Sequence, residues 1–370
     1  MARILFLCLC LATVQGMSIL DRREVMRTVF ARTQIIVASM IAPPVDDSRL
    51  DVVVPAPKRS KEETATLSIP RIGYSLYKTD VAQVERCVQV ALDAGVRHFD
   101  VGTLYGSNTE VGKVLKEYLY KGLPDQSGMN RKQRREELFV SHKVSNAEQS
   151  TNRRAIKNAV KNEMSKLGMT YLDLVSVHSP LTDKPRRLAT YEALLDLQRD
   201  GVVKAVGVCN YGVNPLNEIT DAGLPAPSVI QLVLSPFNQH KDVVAWANDH
   251  GSILSCNAWS KLSSVDGPQE GWAVLADIAK SKGMTKSQVM VRWAFQKDYL
   301  CVPRSASKVK LERLAISENS YDGVRDFILT PKEMDILNGL DEQLPAGRMG
   351  IKDGWSESDI VNAQWDPTAV

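Results

Sequence analysis

Three absences narrow what this chain can be. No strand-like run leads into GxGxxG, and no GxxxxGK[ST] occurs, so neither a dinucleotide-binding open sheet nor a P-loop is supported. Charge of one sign is not in excess: 46 Lys and Arg stand against 43 Asp and Glu. The resulting +3 is too weak a field to favour nucleic acid or an anionic membrane, so partners must be sought in local sites. Cysteine is sparse, and CxxC pairs are missing. Cys8 and Cys10 lie in the N-terminal apolar run, while Cys87, Cys209, Cys256 and Cys301 are widely spaced inside apolar segments. Without a compact His/Cys cluster these read as buried thiols rather than zinc ligands, and no metal is implied.

What the chain does contain is enough apolar material for a large core, 44% hydrophobic against 24% charged residues. From Leu67 onward short apolar runs alternate with longer amphipathic stretches about eight times, the pattern of a parallel sheet covered by helices. Strands are expected at Arg97–Val101, Leu138–Lys143, Leu172–His178, Lys204–Cys209, Val229–Val233, Ile253–Ala258 and Leu300–Pro303. Leu67–Leu76 supplies either a first strand or a preceding hairpin. In Val81–Ala94 the apolar residues Val84, Val88, Ala91 and Leu92 recur at helical spacing, and glycines 95, 168, 201, 251 and 283 punctuate the helix ends. The expected fold is a single α/β domain, a (β/α)8 TIM barrel over residues 67–345. Segment 121–136 reads as an exposed, mobile insertion, and residues 346–370 as a tail over or beside the barrel.

The first 66 residues read as a targeting region and linker. Arg3 precedes the apolar run Ile4 to Val14, and Val14-Gln15-Gly16 offers permissive residues for signal peptidase. The run is too short to anchor the chain in a membrane. Arg22, Arg23, Arg27 and Arg32 then lead into a second short apolar run ending at Pro43. This stacking resembles the bipartite presequences that direct proteins to secondary plastids; secretion or an endomembrane lumen is the alternative destination. Residues 43–66, rich in Pro, Asp, Lys and Ser, read as a flexible approach to the folded domain.

In such a barrel the working residues sit at the C-terminal ends of strands and in the loops that follow. Asp100, Lys143 and His178 each close an expected strand, and Tyr105 lies in the loop after Asp100. These types suit one reaction. A carbonyl that receives hydride at carbon needs a proton at oxygen, and a tyrosine can supply it. A lysine ammonium lowers the phenol's pKa, a carboxylate holds the lysine charged and oriented, and a histidine positions the carbonyl oxygen. Tyr105 is therefore read as the acid, Lys143 as its tuner, Asp100 as the anchor of Lys143 and His178 as the orienter.

Gly95-Val96-Arg97-His98-Phe99-Asp100-Val101-Gly102-Thr103-Leu104-Tyr105-Gly106, followed by Asn108-Thr109-Glu110-Val111-Gly112, resembles the aldo-keto reductase signature G-x-R-x-x-D-x-A-x-x-Y-G. Gly207-Val208-Cys209-Asn210-Tyr211 resembles that family's G-V-S-N-F, and Val302-Pro303-Arg304-Ser305 its I-P-K-S. The resemblance runs through nearly all of residues 67–345 and implies an NADPH cofactor. On it, Asn210 and Gln231 hold the nicotinamide carboxamide, Trp259 stacks on the ring, and Ser260 and Leu262 lie along the pyrophosphate. Arg304 and Ser305 meet the adenosine 2′-phosphate, with Lys310 or, by reach, Arg313 as the second cation. Glu318 and Asn319 match the adenine-contacting pair. Tyr77 and Ser179 fall near positions where relatives place substrate-facing tryptophans. Cys209 for serine and Lys261 for proline are departures from the family pattern.

The resemblance implies reduction of a small aldehyde or ketone to an alcohol by direct hydride transfer, in a monomer that meets neither nucleic acid nor, once mature, a membrane. Sugar aldehydes, reactive lipid aldehydes and keto acids or esters all remain open as substrates. A second implied function is a nucleotide-sensing subunit like the potassium-channel β subunits, binding NADPH with little turnover.

Overall fold

The computed structural model describes residues 48–55, 64–124, 128–257, 269–304 and 316–341. The expected targeting signals and the C-terminal tail lie outside these residues.

The described chain begins with an antiparallel pair, β1 (Arg49–Pro55) and β2 (Thr64–Pro70), in the register Val52↔Leu67 and Val54↔Ala65. This corrects the expectation that residues 43–66 are a linker. Leu50, Val52 and Val54 alternate with Arg49, Asp51 and Val53 at the period of a strand, which places one apolar edge inward. Val52 and Val54 are buried, whereas Val53 is 68% exposed. The inward residues pack with Leu67 and Ile69 against Phe139, Leu174, Ala205, Val229 and Leu300 from the barrel strands. The hairpin thus covers the floor of the barrel. Burying these four hairpin side chains stabilises the floor by about 1.5–3 kcal/mol each.

Eight parallel strands follow: β3 (Tyr74–Ser75), β4 (His98–Asp100), β5 (Phe139–Val144), β6 (Leu172–Val177), β7 (Val203–Cys209), β8 (Val229–Leu232), β9 (Ile253–Cys256) and β10 (Leu300–Cys301). Each pairs with the next in sequence, and a parallel bridge between Ile72 and Cys301 joins the last to the first. Gly73 N–H donates to the Cys301 carbonyl at 2.7 Å, and Ser75 N–H to that of Pro303 at 3.0 Å. The (β/α)8 expectation is therefore met. Of the two readings of Leu67–Leu76 both hold in part, since Leu67–Pro70 ends the hairpin and Tyr74–Ser75 opens the barrel.

The covering helices include α1 (Val81–Asp93), α2 (Asn108–Lys121), α3 (Arg131–Glu137), α4 (Arg153–Lys166) and α5 (Lys184–Arg199). Glycines 95, 168, 201, 251 and 283 all adopt positive φ where the chain turns back toward a strand. Helix α2 lies so close on α4 that a Cβ added at Gly112 would collide with the Lys166 carbonyl oxygen. Helix α3 corrects a second expectation. It falls in the segment read as an exposed insertion, yet Asn130 and Gln133 form a capping box at its start, and Arg134 and Arg135 are buried. Arg134 donates to the Leu119 and Tyr120 carbonyls, and Arg135 pairs with the buried Asp173 at 2.8 Å. A charge-rich segment was thus drawn inward because each guanidinium found carbonyl or carboxylate acceptors. Cys87, Cys209, Cys256 and Cys301 are buried free thiols, as expected.

Candidate active site

Strand register brings the four sequence-selected residues together at one end of the barrel. Asp100 ends β4 and pairs across from Ser141, and Lys143 sits two residues further along β5. His178 follows β6, its backbone N–H donating to the Val144 carbonyl at 3.0 Å. Tyr105 arrives on a single 3-10 turn, Thr103–Tyr105, closed by Gly106 at φ 67°. That left-handed position suits glycine and turns the chain into α2.

The Lys143 ammonium donates to Asp100 Oδ1, with both side chains almost wholly buried. Ser141 Oγ donates to the same oxygen at 2.9 Å, while Ser75 Oγ and the Tyr105 hydroxyl reach Oδ2 at 3.2 and 3.4 Å. The carboxylate is thereby satisfied on both oxygens, which offsets the cost of burying the pair. Burial raises the Asp100 pKa, but the Lys143 charge and hydrogen bond outweigh it, and the carboxyl is held below its usual range. For Lys143 burial works against the ammonium, and Asp100 overcomes it, so the pKa ends above the ordinary value. The pair is fully ionised at neutral pH.

The Tyr105 ring packs 5.2 Å from Lys143 Nζ, 5.3 Å from the Tyr77 ring and 6.1 Å from the His178 ring. Its phenol feels Lys143 in the expected direction but not as the largest influence. Burial drives its pKa up and the Asp100 charge adds to the rise; Lys143 opposes both without reversing them. The lysine therefore restrains the shift rather than setting its direction, and the hydroxyl stays protonated. His178 is neutral, its pKa pushed well below the ordinary value by burial and by the Lys143 charge. Cys209 also belongs to this interior, with burial raising its thiol to about 12.

The expected cofactor residues divide into those the structure places and those outside the described residues. Asn210 is buried at φ 61°, a left-handed position that asparagine tolerates. Its Nδ2 donates to the His178 carbonyl at 2.9 Å, leaving the buried Oδ1 without a hydrogen-bond partner. Gln231 donates to Asp100 Oδ1 and Ser255 Oγ, both at 3.4 Å, and accepts from Asn257 at 2.9 Å. Arg304 donates to the Lys78 carbonyl at 2.7 Å, and its Nε is buried without a partner. Arg304 and Asn319 line one recess with Gly73, Tyr74 and Pro303, whereas Glu318, next to Asn319 in sequence, is not part of that lining. Trp259, Ser260, Leu262, Ser305 and Arg313 lie outside the described residues, as do Lys261 and Lys310. The orphaned polar atoms and the Arg304 guanidinium fit an amide-bearing, phosphate-bearing ligand such as a nicotinamide dinucleotide.

Of the substrate-side residues, Tyr77 faces Tyr105, whereas Ser179 is buried and occupied: its Oγ donates to Asn146 Oδ1 at 2.8 Å. Ser75 and Ser141, which bind Asp100, were missed in the sequence. Their only signal was an inward position on a strand, and serine on a strand carries no distinctive motif. Lys78, in the turn after β3 at φ 53° with its ammonium 5.5 Å from the Tyr77 ring, carries no motif in the sequence either.

Residues 72–340 match the Aldo/keto reductase family model. An aldo-keto reductase of Mycobacterium sp. (strain MCS) is 30% identical over 275 residues, which is 74% of this chain and 88% of that protein. Methylglyoxal reductase DkgA of Escherichia coli O157:H7 is 28% identical over 274 residues, 74% of this chain and 90% of that protein. Among solved structures, a Gox0644 point mutant in complex with NADPH superposes with a TM-score of 0.63 at 24% identity, covering 82% of this chain and 97% of that one. The barrel, the strand-end constellation and the family match agree, and the chain belongs to the aldo/keto reductase family of oxidoreductases that act on carbonyl compounds.

Proposed function

We propose that this protein reduces a small aldehyde or ketone with NADPH, and that Tyr105 donates the proton. One observation carries the reading: the buried Tyr105 phenol lies beside the buried Lys143–Asp100 ion pair and the His178 imidazole, at the C-terminal end of the barrel. NADPH, when bound, supplies the hydride that reaches the carbonyl carbon. The protein supplies the rest. His178, uncharged, donates a hydrogen bond to the carbonyl oxygen and sets it beside the Tyr105 hydroxyl. As charge grows on that oxygen the phenol proton moves to it, and the Lys143 ammonium stabilises the phenolate left behind. Asp100 holds the ammonium in place. Asn210 and Gln231 offer amide groups to the carboxamide, and Arg304 a guanidinium to the 2′-phosphate, which favours NADPH over NADH. Tyr105→Phe is expected to lower turnover by about a thousandfold while leaving NADPH binding intact. Cofactor-fluorescence titration and steady-state rates on a carbonyl panel check this, and a wild-type rate in the variant refutes the acid assignment. The same panel ranks the substrate classes.

The residues ahead of the hairpin, 1–47, are proposed to direct the chain into the secretory route and on to a secondary plastid. Their support is the short apolar run after Arg3 and the arginine-bearing segment behind it. A fluorescent reporter fused to residues 1–47 should accumulate in the plastid; its appearance in the medium alone defeats the plastid step.

A further inference from the structure

The turn that delivers Tyr105 is tied at its start by groups outside the constellation described above. Along β5 successive side chains face opposite ways. Lys143 enters the barrel toward Asp100, and His142 faces outward toward the turn and helices α2 and α4. His142 is buried, and its Nε2 lies 3.3 Å from Thr103 Oγ1. The Thr103 hydroxyl in turn donates to the backbone carbonyl of Lys143 at 3.5 Å. A hydroxyl that spends its proton on that carbonyl has only lone pairs left for the imidazole. His142 therefore carries its proton on Nε2 and donates it to Thr103. Its Nδ1 is buried with no hydrogen-bond partner. Beyond the turn, at the start of α2, Asn108 Nδ2 donates to Glu163 Oε2 on α4 at 2.6 Å, and Glu163 also accepts from Lys166 at 2.7 Å.

We propose that His142 and Thr103 are positioning residues for the reduction, in that the chain from His142 through Thr103 to the Lys143 carbonyl fixes the turn that holds Tyr105 against Lys143. The inference rests on the reading of Tyr105 as proton donor. Its physical basis is direct. Thr103 opens the same three-residue turn that ends in Tyr105, and its acceptor is the carbonyl of the lysine itself, so the hydroxyl couples the two partners through backbone rather than through their side chains. A proton donor displaced by a fraction of an ångström loses rate steeply, while cofactor binding on other strands is untouched. The imidazole donates from Nε2 whether or not Nδ1 is protonated. Burial lowers its pKa to about 4, with Glu163 raising it and Lys143 lowering it, so it is uncharged at neutral pH.

The test compares Thr103→Val, His142→Leu, His142→Gln and the Thr103→Val/His142→Leu double variant in the full chain. Thr103→Val and His142→Leu are expected each to lower kcat about tenfold with the NADPH Kd unchanged. His142→Gln keeps an amide donor near the Nε2 position and should recover most of the loss. The double variant should be no worse than either single one, since both break one chain. Wild-type kcat in both singles, losses that multiply in the double variant, or a glutamine no better than leucine each overturn the proposal. Thr103→Val is isosteric at a partly exposed position, so it and His142→Gln carry the comparison if His142→Leu does not fold. Tyr105→Phe run alongside separates the two readings. An inactive Tyr105→Phe with normal Thr103 and His142 variants sinks this inference alone, whereas an active Tyr105→Phe sinks the acid assignment.

Discussion

The most consequential side chain in the site besides Tyr105 is Lys143, which is almost wholly buried and whose charge is supported by Asp100. Lys143→Met keeps the volume and removes the cation. Two effects should follow together. The Asp100 carboxylate is left buried beside neutral hydroxyl and amide donors, with no counter-charge, which costs about 3–5 kcal/mol of stability. The phenolate formed at Tyr105 loses its counter-charge, so kcat falls as well. Urea unfolding and single-turnover rates measure the two separately, and a stable, active variant contradicts the pairing. At this scale the sequence was informative for residues whose chemistry is unusual at a strand end, and Asp100, Lys143 and His178 meet as their positions implied. It was uninformative for Ser75 and Ser141, whose role depends on the register between strands rather than on any local pattern. It held the lowering by Lys143 but not the opposing rise at Tyr105, because burial is a property of the assembled site and not of the motif.

At the scale of elements, the hairpin β1–β2 shows how composition and periodicity can point apart. Pro, Asp, Lys and Ser over residues 43–66 suggested a linker, while the alternation within Arg49–Pro55 and Thr64–Pro70 specified two strands with one apolar face. The face should matter and its reverse should not. Val54→Asp places a carboxylate against the barrel floor and is expected to cost at least about 3 kcal/mol. Val53→Asp, on the exposed side, should stay within about 0.5 kcal/mol of the native protein. Denaturation midpoints of the two variants decide the matter, and equal effects rule out the hairpin as a packed floor. Helices with clear 3.6-residue spacing, such as α1, were legible almost to the residue. Helix α3 was not, since its inward side chains are arginines, whose burial is licensed by acceptors on elements distant in sequence.

For the molecule as a whole, three histidines, His98, His142 and His178, are buried in or beside the barrel, and burial lowers each of their pKa values, the first two to about 4. The unfolded chain takes up those protons near pH 6.5, whereas the folded chain resists until about pH 4. Between these limits the unfolded state binds more protons, so stability rises with pH and is lost as pH falls from about 6.5 toward about 4. Thermal unfolding across this window should show Tm declining steadily with acidification, and a flat profile contradicts the assignment of neutral buried imidazoles. The covered floor has a consequence for traffic as well as for stability. With β1 and β2 packed across the floor, the strand-end site lies at the other end of the barrel. A cofactor and a substrate that share that end would bind in order, the deeper one first in and last out.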